Sequence, residues 1–79
     1  MSTHKLSNVS IQDFRKFLLK VGCQYIYTES GHEKWSKSGL LRPVIFQTHI
    51  DPIPEFIIKN NLRTLNITRQ EFFNILFED

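Results

Sequence analysis

In the stretch SGHEKWSKSG, residues 30 to 39, a histidine follows a Ser30-Gly31 turn and is succeeded by an acid, a lysine and the single tryptophan of the chain. Histidine exchanges its proton near neutral pH, so it serves as either general base or general acid. A phosphodiester in RNA is cleaved without a metal when a base takes the 2′-hydroxyl proton and an acid protonates the leaving oxygen. His32, at the mouth of a tight turn, is within reach of such a substrate. Alternate side chains of a strand share a face, so Lys34 points with His32 while Glu33 and Trp35 point the other way. A lysine on that face can stabilise charge developing on a phosphate. Lys37 and Arg42 are further candidates to hold phosphate. Trp35, a large aromatic on the opposite face, belongs to the core.

The same spacing also describes a half-exposed strand histidine without catalytic duties, because one imidazole is half of an acid–base pair. His49, after the third expected strand, is the candidate for the other half; its alternative is an ordinary loop residue near Asp51. A metal site from His4, His32 and His49 is not expected. No second histidine lies four positions from His32, so the helical zinc-protease spacing is missing. There is no glycine-rich phosphate loop, and no cofactor is expected. Cys23 has no partner for a disulfide within the chain and reads as a small buried hydrophobe.

The elements that must carry these residues are legible in the pattern. The chain has 79 residues, 41% hydrophobic and 13% aromatic with seven phenylalanines, which is one domain spanning 1–79 with a core of its own. Residues 1–9 read as a short polar arm. In SIQDFRKFLLKVG, Ser10 caps a helix whose Ile11, Phe14, Phe17, Leu18 and Val21 recur at helical spacing, and Gly22 closes it. CQYIYTE is a strand, HEKWSK its returning partner across the Ser30-Gly31 turn, and VIF a third strand, with Pro43 marking an edge or a start. Pro54 and Glu55 suit the first turn of a second helix. Ile58, Leu62 and Leu65 form its buried stripe, and Asn66 stands in for glycine at its end. Thr68 and Glu71 form the start signal of a short final helix with Phe72, Phe73, Leu76 and Phe77. The order is α+β: αβββα with an extra C-terminal helix, the three antiparallel strands packed on helices.

Charge is uneven along the chain. Residues 1–50 hold seven Lys and Arg against three acids, and residues 51–79 hold three against five. The basic half contains the histidine stretch, a field that suits an anionic partner. No apolar run is long enough for a signal peptide or a membrane span, and with one cysteine the expected location is the reducing cytoplasm.

The run VGCQYIYTESGHEKW resembles the core of the HicA-type toxins, small RNA-cleaving proteins of bacterial toxin-antitoxin systems. Gly22 to His32 keeps that family's spacing, and Gly31, His32, Glu33 and Trp35 fall at its signature positions. The likeness continues through VIFQTH to His49, and through IKNNLRTLNITRQEF to the family's exit signal. It differs at Glu55, Phe56 and Ile57, where the family usually carries proline, glycine and threonine, and Arg42 stands alone where a basic pair is usual. The resemblance implies a fold like the double-stranded-RNA-binding domain and a metal-independent endoribonuclease that cleaves messenger RNA to arrest growth, with His32 catalytic. It also implies substrate contacts at Gly31, Lys34, Lys37, Arg42 and His49, and a HicB-type antitoxin partner that covers His32. The alternative expectation is a noncatalytic RNA-binding module on the same fold.

Overall fold

Ser10 caps the first α-helix as expected. Its hydroxyl accepts the Asp13 amide at 3.0 Å, and the Asp51 carboxylate accepts the Ile11 amide at 3.1 Å, so two of the unpaired donors at the helix start are satisfied. In the computed structural model, which describes residues 5–78, this helix, α1, runs Ile11–Lys20 and buries Ile11, Phe14, Phe17 and Leu18. Gly22 follows at φ +88°, a left-handed value that costs glycine nothing and other residues about 1–2 kcal/mol. The strands are β1, Gln24–Glu29; β2, His32–Ser36; and β3, Val44–Gln47. They form one antiparallel sheet in the order β1-β2-β3, with β2 in the middle.

Helix α2, Glu55–Leu65, starts directly after Pro54, which is its capping residue rather than a member of its first turn, and it stops where Asn66 turns left-handed at φ 57°. Helix α3, Arg69–Phe77, carries the full capping box: Thr68 accepts the Glu71 amide and Glu71 accepts the Thr68 amide. Phe72, Phe73 and Leu76 are buried, whereas Phe77 is exposed. The architecture is therefore the expected α+β order αβββα with an added C-terminal helix.

The core lies between one face of the sheet and the helices. Phe14 meets Phe46 edge-on at 5.4 Å and Phe17 meets Phe72 edge-on at 4.6 Å, and all four rings are shut off from solvent. Each such ring contributes about 1.5–3 kcal/mol by leaving water. The polar arm read over residues 1–9 differs at its described end. Leu6–Asn8 form a 3-10 turn, and Leu6 and Val9 are buried. The Ile53 amide bonds the Val9 carbonyl at 2.9 Å, which anchors this segment beside the entry to α2. Among the described residues, no helix is long and apolar enough to cross a membrane.

Candidate functional site

Strand alternation divides β2 as its composition requires. Glu33 and Trp35 are buried against the helices, while His32 and Lys34 face outward. His32 is the first residue of β2 and is exposed, in register with Glu29 on one side and Gln47 on the other. Lys34, about 7 Å further along the same face at ordinary strand rise, is half-buried. Its ammonium donates to the Tyr27 hydroxyl at 3.3 Å and stands 5.3 Å from the centre of that ring. A cation and an imidazole therefore share one open sheet face, bordered by an aromatic ring.

The turn before His32 is held from the third strand. Gly31 has φ +77°, and its carbonyl accepts both the Thr48 amide at 2.8 Å and the Thr48 hydroxyl at 3.2 Å. A methyl group at Gly31 would lie 3.2 Å from Nδ1 of His49. The His49 ring thus packs against the glycine that precedes His32, and the two histidines bracket one turn. Among the described residues, no three of His, Cys, Asp and Glu gather as a metal site; His4 lies outside those residues.

Beneath His32 sits a charge that periodicity does not reveal. Glu33 is 2% exposed and accepts from Arg15 three times: Nε at 3.2 and 3.0 Å, and a terminal nitrogen at 2.6 Å. Its second oxygen also accepts the indole N–H of Trp35 at 2.7 Å. Burial pushes the Glu33 carboxyl toward a higher pKa, but the hydrogen bonds from Arg15 and Trp35 and the charge of Arg15 together outweigh it, and the pKa is lowered. The hydrogen bond to Glu33 likewise raises the Arg15 guanidinium above its ordinary value, against the opposing effect of burial. The network clamps α1 to the middle of β2, one residue from the exposed imidazole. The available signal was an acid alternating with Trp35 on the apolar face, since a carboxylate there needs a cation, and Arg15 follows the core residue Phe14 on the facing helix.

Lys37 and Arg42 lie elsewhere. Both belong to the 37–43 connection between β2 and β3, at the far end of the strand from His32, a separation of roughly 16 Å along β2. The Lys37 side chain runs past Gly22, 3.9 Å from where a methyl group on that glycine would stand. Its charge opposes the upward shift that burial imposes on the Cys23 thiol. Gly31, His32, Lys34 and His49 therefore form one group, and Lys37 and Arg42 another. The second group borders a groove of about 840 Å³ between this connection and α2, which also contains Arg63, Asn60 and Asn66. Its neighbour Asn61, buried at 6% exposure, donates to the Ile45 carbonyl at 2.9 Å and accepts the Ile45 amide at 3.4 Å. This side-chain amide occupies the backbone groups of edge strand β3 as another strand would. Comparison of the chain with protein-family models, curated proteins and solved structures gives no match.

Proposed function

We propose that the protein is a metal-independent endoribonuclease acting on messenger RNA in the cytoplasm, the toxin of a toxin-antitoxin pair whose HicB-like partner covers His32. The observation that carries this reading is the pair of imidazoles about one turn: exposed His32 and, against Gly31, the ring of His49. Acid–base cleavage of RNA needs two proton carriers near one phosphate. One imidazole removes the 2′-hydroxyl proton and O2′ attacks phosphorus. The bond to O5′ then breaks and the other imidazole protonates O5′, leaving a cyclic phosphate and a free 5′-hydroxyl. Lys34 supplies positive charge on the same face for the phosphorane oxygens. The αβββα order also agrees with the double-stranded-RNA-binding-like fold that the HicA resemblance implies.

The test is a gel assay with labelled RNA, purified protein and chelator, alongside growth on induction. His32→Ala is expected to keep its circular dichroism and melting temperature while losing cleavage and growth inhibition; full toxicity in that variant refutes the assignment. An all-deoxy strand is expected to survive, and equal cleavage of it removes the 2′-hydroxyl from the mechanism. RNA binding without cleavage by the unmodified protein selects the noncatalytic RNA-binding module instead.

A further inference from the structure

We propose that the groove between the β2–β3 connection and α2 binds the phosphates of single-stranded RNA several nucleotides from His32, and so sets the length of strand that the site accepts. The proposal rests on the ribonuclease reading for its link to His32, but the groove makes its own case for the ligand. Two cations line it from separate places, Arg42 in the connection and Arg63 in the last turn of α2, and Lys37 borders its β2 end. No carboxylate among the described residues lines the groove, and neither the two arginines nor Lys37 takes part in an ion pair found among those residues. Such charge is uncompensated by the protein and attracts polyanions.

The groove is also furnished for bases. Leu41 is wholly exposed at 102%, and Ile45 is 41% exposed. These apolar surfaces can cover unpaired base faces only when the bases are splayed out of a duplex. The negative end of α2 is covered, because the Asn66 amide bonds the carbonyls of Leu62 and Arg63 and the Ile67 amide bonds Leu62 again. A peptide adding to the sheet here is disfavoured, since Asn61 already occupies the Ile45 backbone.

The groove is continuous with the first site. Ile45 is in register with Lys34, and two residues back along the same face is His32. The roughly 16 Å between His32 and Lys37 corresponds to about five stacked nucleotides at 3.4 Å each, or fewer when splayed. One strand can therefore meet His32 and the groove together.

The experiment measures fluorescence anisotropy of a labelled 12-nucleotide single-stranded RNA on His32→Ala protein, with and without R42Q and R63Q together. The added pair is expected to weaken binding about tenfold and to flatten the dependence of log affinity on log salt by about 1.4, at 0.7 per cation on a single strand. The matching RNA duplex is expected to bind more weakly than the single strand. Unchanged affinity and slope, equal or tighter duplex binding, or equal competition by a polyglutamate peptide each overturns the proposal. Because binding is read directly, loss in R42Q/R63Q supports the groove even where the unmodified protein cleaves nothing. Cleavage with affinity indifferent to R42Q/R63Q retains the ribonuclease reading and removes the groove. In cleavage assays, the kcat/KM advantage of a 12-nucleotide substrate over a 4-nucleotide one is expected to shrink in R42Q/R63Q.

Discussion

Arg15→Ala is the sharpest perturbation of the frame under His32. The pair is asymmetric: the Arg15 side chain is 46% exposed and that of Glu33 is 3% exposed. Removing the arginine leaves a carboxylate buried with the Trp35 N–H as its remaining bond, whereas removing the glutamate returns a guanidinium to water. Breaking a buried pair costs about 3–5 kcal/mol, and partial solvent screening of this one puts the loss at the lower end, about 3 kcal/mol. For a domain of this size that is a fall in melting temperature of about 12–24 °C. Glu33→Gln keeps an acceptor for the indole and strands no charge, so its loss is smaller, about 1–2 kcal/mol.

The two states of Glu33 also differ in sign with pH. In the unmodified protein the folded pKa is lowered. Its contribution is therefore complete above the unfolded value of about 4.3 and disappears as pH falls through the folded one. Without Arg15, burial dominates and the folded pKa rises above the unfolded one. The variant then loses stability as pH climbs between the two, and acidification from neutral pH toward the unfolded value narrows its deficit. Urea unfolding across that range, followed by the fluorescence of Trp35, the single tryptophan, measures both effects. Equal losses for Arg15→Ala and Glu33→Gln, or parallel pH profiles for variant and unmodified protein, refute the reasoning.

Gly31→Ala places a methyl group 3.2 Å from His49 Nδ1 on a backbone at φ +77°. A stability loss of about 1–2 kcal/mol is expected, with cleavage falling tenfold or more while RNA binding persists; unchanged cleavage takes His49 out of the reaction. Asn61→Ala frees both backbone groups of Ile45 and is expected to cost about 1–2 kcal/mol in denaturant titrations. Hydrogen exchange at the Ile45 amide should accelerate, and a protected amide in the variant contradicts the role given to Asn61.

Local signals carried most of the fold. Ser10, Gly22, Asn66 and the Thr68–Glu71 box each punctuate a helix through bonds between near neighbours, and such bonds are written in short stretches of chain. The outward pairing of His32 with Lys34 was equally legible, because alternation is a local rule. What escaped depends on distant partners. Glu33 is tolerable inside only because α1 delivers Arg15, 18 residues away, and Asn61 is buried only because β3 offers it an amide and a carbonyl. Leu6 and Val9 are too few to form a period, and their burial depends on the chain returning at Ile53. Lys37 and Arg42 read as phosphate candidates alongside the histidine, but β2 is extended and puts both at its far end.

Asn61 gives the sheet two unlike rims. On the β3 side a side-chain amide stands where an incoming chain would bond, while the β1 side offers Gln24–Glu29, all six exposed and bonded laterally to β2 alone. Lateral growth accordingly has one direction. Any oligomer that forms by zipping backbones together at high concentration must recruit the tyrosine-bearing rim, where the irregular register at Ile26 is the local feature resisting it. A lysine at Ile26 is the natural first substitution for keeping concentrated preparations dispersed.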